Sequence, residues 1–317
     1  MNIRVNPAGF ETEHLAALNR SFPGWGDERR LRWCFGRSSD LVVAELDGVA
    51  VAGTGISYRR MRAPHGGGML VGIFTAAWSF PVRAERGLYL RVMTEATRLI
   101  GERGGALALG FMPQDKSSGH QLLRTGAMAV ATAYVMTPAD VDISLSDTWE
   151  SCSDSPELRA VLFERAGQRA RDGLSFVYSD AGDFAGQFLE RPHPVQALVN
   201  NCGDYLLVER TSRALNLLAA LPAGGGRASG ALLREAAALA AREGRPLFAY
   251  AANAGAIAEA AAAGLVTRPG FMTVTVASHQ SLSAALDPGG QRTDSRSAET
   301  LCHAALTALH VENGDRM

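Results

Sequence analysis

The feature that most constrains this chain is a spacing that occurs twice. A helical pattern ends at Gly104, an apolar run follows, Asp115 opens a loop, and Gly126 begins the next apolar run. Gly244, Asn253 and Gly264 take the same roles further along. Asp115 to Gly126 and Asn253 to Gly264 are both 11 residues. Self-similarity of this kind marks two diverged copies of one unit. At 317 residues and 47% hydrophobic content, the chain is long for one core and sufficient for two. The reading is two domains, residues 1–140 and 156–280, joined by a linker over 141–155 and followed by a tail over 281–317.

Local patterns fill in the first copy. Asn2 to Val5 reads as a strand, Glu11 to Phe22 and Glu28 to Phe35 as helices. Asp47-Gly48 is a hairpin turn between strands at Leu41 to Glu45 and Val49 to Ser57. A strand from Met69 to Phe80 is closed by Pro81. Leu88, Val92, Met93, Ala96, Leu99 and Ile100 then follow helical spacing from Gly87 to about Arg103. A buried strand (Ala106 to Phe111), a short helix (Ser117 to Arg124) and a last strand (Ala127 to Met136) complete the unit. Residues 138–155 are rich in Asp, Ser, Thr and Pro, which is the basis for the linker. In the second copy, helices are expected at Glu157 to Arg171, Leu232 to Arg242 and Ala254 to Ala263. Strands are expected within Tyr205 to Leu218, at Leu247 to Ala251 and at Phe271 to Ala277. The tail is polar, with one amphipathic helix at Ala298 to His310. The fold class is α/β (α+β), each domain a mixed central sheet flanked by helices.

Charge and cysteine usage exclude several functions. The net charge of -1 supplies no field for nucleic acid or an anionic membrane. Cys34, Cys152, Cys202 and Cys302 are far apart, without CxxC or Cys/His clustering, so no metal site is expected. With no apolar run approaching a membrane span, a cytoplasmic protein is expected. A homodimer remains open.

Residues 78–89 carry the chemistry. The run Trp78-Ser79-Phe80-Pro81-Val82-Arg83-Ala84-Glu85-Arg86-Gly87-Leu88-Tyr89 is a strand, a proline, an arginine-rich turn and the start of an amphipathic helix. It resembles the core signature of the GNAT acetyltransferases, and the duplicated layout resembles their tandem type. The family's Arg/Gln-x-x-Gly-x-Gly/Ala turn falls on Ala84, Gly87 and Tyr89, so only the central glycine is kept. The family's Asn-x-x-Ala loop falls on Asp115 and Ser118, and its Gly-Phe on Gly126-Ala127. The resemblance covers about residues 40–137 well and 200–277 more weakly.

The resemblance implies an acetyl-CoA (or other acyl-CoA) co-substrate and no metal. Unpaired N–H groups at a helix N-terminus, with the positive end of the dipole, suit a pyrophosphate. The expected cofactor residues are Trp78, Ser79, Phe80, Ala84, Glu85, Arg86, Gly87, Leu88, Tyr89 and Ser118. The strand before the turn is expected to splay from its neighbour, with Ser79 and Phe80 contributing backbone groups. The family's acid, a tyrosine four residues before the Gly-Phe, falls on Leu122 here and on Ala260 in the second copy. Neither titrates, which leaves His120 and Asp115 as catalytic candidates, with Tyr58, His65 and Tyr134 behind them.

In the second copy Arg227-x-x-Gly230 matches the family turn, but only 14 residues separate Gly230 from Gly244, against 17 from Gly87 to Gly104. The first copy is therefore expected to hold the acyl-CoA. The implied function is an N-acetyltransferase acting on a small-molecule amine. The alternative is a catalytically degenerate pair that binds acyl-CoA or a metabolite, or serves as a scaffold.

Overall fold

The computed structural model describes residues 1–63, 67–80, 87–137, 148–168, 174–225 and 229–287. In the tail it describes Thr300, Cys302, Ala305, Leu306, Val311 and Gly314. The first copy contains β1 (Asn2–Val5), α1 (Glu11–Ser21), α2 (Glu28–Phe35), β2 (Ser39–Leu46), β3 (Val49–Arg62) and β4 (Gly68–Ser79). It continues through α3 (Leu88–Glu102), β5 (Gly105–Pro113), α4 (Ser117–Arg124) and β6 (Met128–Met136). The expected elements are all present, because each is specified by residues close in sequence. Asp47 and Gly48 both take positive φ, the geometry that matches the twist of two flanking strands.

The second copy contains β7 (Trp149–Cys152), α5 (Pro156–Gly167), β8 (Ser175–Val177), α6 (Ala181–Phe188), β9 (Val195–Asn200), β10 (Tyr205–Arg210) and β11 (Leu215–Leu221). Then follow α7 (Gly230–Arg242), β12 (Leu247–Ala251), α8 (Ala254–Ala262), β13 (Val266–Val276) and α9 (His279–Leu286). Several boundaries differ from the sequence reading. Trp149–Cys152, inside the expected linker, pairs with β9, and the Trp149 indole donates to Glu235 on α7. The boundary at 280 falls within α9, whose Leu282, Ala285 and Leu286 are buried in the core. β8, α6 and β9 were not expected at all. Residues 138–147 and most of Ala298 to His310 lie outside the described residues; Thr300, Cys302, Ala305 and Leu306 of the expected tail helix are helical.

The described strands form one sheet, in the order β1-β2-β3-β4-β5-β13-β6-β12-β11-β10-β9-β7, with β8 on β3. The halves are not two separate sheets. β13, from the second copy, lies between β5 and β6 of the first, and β6 lies between β13 and β12 of the second. Each copy thus lends its last strand to the other. In the central antiparallel ladder Thr132 stands opposite Gly270. Thr132 and Gly270 are separated by 138 positions, as are Asp115 and Asn253, and Gly126 and Gly264. The internal repeat therefore meets its own copy at this pair, and a pseudo-two-fold axis passes there. One hydrophobic cluster includes Leu109 of β5, Val130 of β6, Tyr250 of β12 and Met272 of β13, so the core crosses the exchange.

Candidate active site

β4 and β5 run parallel and pair from Leu70↔Gly105 to Ile73↔Leu109. Beyond Ile73 no pairs follow, although β4 continues to Ser79 and β5 to Pro113. The two strands splay, as the family resemblance implied. Within the splayed part, Gly53 pairs with Trp78 and Gly55 with Thr75, so Ala76 and Ala77 together face the single Thr54. This is a one-residue bulge, which leaves backbone groups outside the ladder. Ala76 adopts φ 52 there, a conformation that costs a non-glycine residue about 1 kcal/mol or more.

The residues after the bulge are tightly held. Trp78 is buried, and a Cβ on Gly53 would lie 2.9 Å from its ring, so the β3 backbone must pass without a side chain. Trp78 and Phe80 rings lie 5.0 Å apart. The Phe80 N–H donates to the Val51 carbonyl at 2.8 Å. That donor is committed to β3, whereas the bulge at Ala76–Ala77 leaves backbone groups outside the ladder. His14 of α1, which sequence reasoning passed over, accepts the Trp78 indole N–H on Nδ1 at 3.0 Å. It is 1% exposed, and burial depresses its pKa to about 4.

Ala84, Glu85 and Arg86 lie outside the described residues, as does His65. Gly87 is the N-cap of α3 at φ 82, with no side-chain cap and no acidic residue in the first helical turn. Nothing lies within 4 Å of where a Cβ on Gly87 would be. The positive end of α3 is therefore bare of side-chain acceptors among the described residues. Leu88 turns into the core of the first copy. Tyr89 and Ser118 are brought together, the phenol hydrogen-bonding Ser118 from the first turn of α3 to that of α4. Burial pushes the Tyr89 phenol up to about 12, so it is protonated at neutral pH.

The two catalytic candidates sit elsewhere. Asp115 pairs with Arg268 of β13 at 2.7 Å, both side chains largely exposed. His120 places Nε2 2.9 Å from the Gln114 carbonyl oxygen, with its ring 5.7 Å from Phe271 of β13. His120 borders an open groove on the central β6/β13 ladder, together with Ala131 and Ile257. Leu122 and Ala260, at the family's acid position, are buried. Tyr58 donates to Asp40 at 2.7 Å, and Tyr134 packs against Phe248 and Tyr250.

The second copy repeats the splay and the bulge. β11 and β12 pair only at Leu215↔Leu247 and Asn216↔Phe248. Against β10, Leu218 is the extra residue between Leu217 and Ala219. A cavity of about 350 Å3 opens here, walled by Leu217, Leu233, Ala249 and Ala256. The N-terminus of α7 differs from that of α3. Ser229 Oγ accepts the Leu232 N–H at 3.3 Å, and Glu259 Oε2 of α8 accepts the Gly230 N–H at 3.0 Å. α7 has 13 residues to the 15 of α3, about half a turn less.

No protein-family model matches the chain, and no curated protein does. Solved structures do match its fold. A probable N-acyltransferase from Enterococcus faecalis V583 aligns at TM-score 0.61 and 11% identity, over 89% of this chain and 74% of that one. A GCN5-related N-acetyltransferase from Anabaena variabilis ATCC 29413 aligns at TM-score 0.61 and 12% identity, over 90% and 75%. A tandem GNAT protein from the clavulanic acid biosynthesis pathway aligns at TM-score 0.58 and 14% identity, over 87% and 99%. The chain has the tandem GNAT fold.

Proposed function

We propose that this chain is an acyl-CoA-dependent N-acetyltransferase for a small-molecule amine, with acyl-CoA held by the first copy. One observation carries the reading: a splayed strand pair, a backbone bulge and an uncapped helix N-terminus follow one another between Ile73 and Gly87. The bare α3 N-terminus supplies N–H donors and a positive dipole end for a pyrophosphate. The splay gives an extended pantetheine-like arm a path between β4 and β5. The Ala76–Ala77 bulge offers backbone N–H groups to the charge that develops on a thioester oxygen under attack. An acyl-CoA contributes the activated thioester; an amine nitrogen displaces the thiolate, forming the amide and releasing one proton as the thiolate gains one. Tyr89, neutral and hydrogen-bonded to Ser118, keeps a hydroxyl in the gap between α3 and α4. Asp115 pairs with Arg268 and His120 with the Gln114 carbonyl, so the amine is read as arriving neutral, or losing its proton through water, without a dedicated base.

Free thiol release tests the reading: it should require both acetyl-CoA and a member of an amine library. Measurable CoA binding with no thiol release across the library would overturn it in favour of a non-catalytic acyl-CoA-binding pair. Buried Leu122 and Ala260 at the acid positions are what favours that second reading. A cytoplasmic setting accords with cysteines that form no disulfide among the described residues.

A further inference from the structure

The two copies differ most where they should be most alike, at the head of the helix after the splayed strand. At α3 that position is Gly87, with no side-chain cap and no acid in the first turn. At α7 the Gly230 N–H is taken by the Glu259 carboxylate and the Leu232 N–H by Ser229 Oγ. A helix N-terminus is worth about half a positive charge, so a full carboxylate placed on it leaves the site net negative. A pyrophosphate there would have to displace Glu259 and then face it at close range. Among the described residues lining the adjoining cavity of about 350 Å3, Glu259 is the one that carries a charge, and among them it has no cationic partner. A carboxylate offers about four lone-pair sites on two oxygens, and Gly230 uses one of them on Oε2. The remaining walls are mostly aliphatic, from Leu217, Leu233, Ala249, Ala256 and, from the tail, Val311.

We infer that the second cleft is a binding site for an apolar ligand bearing an ammonium group, with Glu259 as its counter-ion. The inference rests on the reading that the second copy repeats the first, but not on any transfer reaction. The ammonium occupies the Oε1 side of Glu259, where it meets the net negative charge left over from the helix end. The aliphatic part fills the space between β11, β12 and α7, taking apolar area out of water. Ser229 and Asn253 line the same cavity and are neutral, so charge selection falls to Glu259.

The test uses the full chain without acyl-CoA, and three probes of one length: n-hexylamine, 1-hexanol and hexanoate. Calorimetric titration should find hexylamine bound about tenfold or more tighter than hexanoate, with hexanol between them. Glu259→Gln should bring the three within about threefold of one another, because it keeps the side chain's size and removes its charge. Leu233→Trp, which fills the cavity from α7, should abolish binding of all three, with melting curves to confirm folding. Equal binding of amine and carboxylate by the wild-type chain overturns the proposal. So does no binding at all, or amine binding that survives Leu233→Trp. These outcomes leave thiol release by the first copy standing, since Glu259 has no part in it.

Discussion

The indole N–H of Trp78 donates to Nδ1 of His14 across 3.0 Å, tying α1 to the end of β4 just past the bulge. Because an indole is a donor only, Nδ1 must be the acceptor and any proton of the neutral ring sits on Nε2. Among the described residues, Nε2 is buried without a hydrogen-bond partner, which fits a group held neutral by its surroundings. His14 is a positioning residue: it fixes Trp78, which fixes the strand that carries Ala76 and Ala77.

The chain should therefore lose stability on acidification. The folded-state pKa of His14 lies at about 4 against 6.5 unfolded, so the unfolded chain binds the proton first. Stability is intact above pH 6.5 and falls through the window down to 4, by roughly 3 kcal/mol if nothing else titrates. His14→Gln keeps an acceptor for Trp78 and should flatten that part of the stability profile. Denaturant melts of both proteins between these pH limits check it; parallel profiles would show that His14 is not the group responsible.

Gly87 separates the effect of charge from that of backbone shape. At φ 82 the best-tolerated replacements are Asn and Asp, and the Cβ meets nothing within 4 Å among the described residues. Gly87→Asn should cost the fold about 1 kcal/mol and acyl-CoA affinity less than about tenfold. Gly87→Asp should fold equally well and lose affinity about 100-fold, through like-charge repulsion at the pyrophosphate. In the second copy, Gly230→Asp should leave acyl-CoA affinity intact but lower the melting temperature, as its Cβ would sit 3.1 Å from Glu259 Oε2. Calorimetry on the three variants decides between the copies: if Gly230→Asp alone loses binding, the acyl-CoA belongs to the second.

His120→Ala should lower kcat/KM by less than about tenfold, because the ring is engaged with the Gln114 carbonyl and Phe271. A thousandfold loss at unchanged CoA affinity, equivalent to roughly 4 kcal/mol, would make it a catalytic residue after all.

The strand exchange predicts that the halves cannot be separated. A fragment of residues 1–140 would leave β5 unpaired along Leu107–Pro113, where β13 belongs, and expose both edges of β6. Such edges pair with other chains. The fragment should aggregate, and co-expression with residues 141–317 should rescue it. A soluble, monodisperse 1–140 with native-like circular dichroism would contradict the exchange.

What the sequence determined by itself was local. Asp47-Gly48 encodes its hairpin in two residues, and α3 is written in the spacing of Leu88, Val92, Met93, Ala96, Leu99 and Ile100. The two 11-residue spacings disclosed the duplication, and the run through Gly87 pointed to the splayed strand and the helix head. Alternation within a strand states which face is buried, but not which strand lies beside it. Hence β6 and β13 could be read as strands while their exchange could not, since partners 138 positions apart leave no mark within either segment. The same limit hid His14, 64 positions from Trp78, and β7, whose Trp149 finds Glu235 only once α7 is in place. It also hid the contrast between the copies. Gly87 and Gly230 look alike along the chain, and only packing α8 against α7 sets the Glu259 carboxylate on one helix end, while the other has no side-chain cap among the described residues. Charge and solvation at a site depend on what arrives from elsewhere in the chain, and that is fixed by tertiary packing alone.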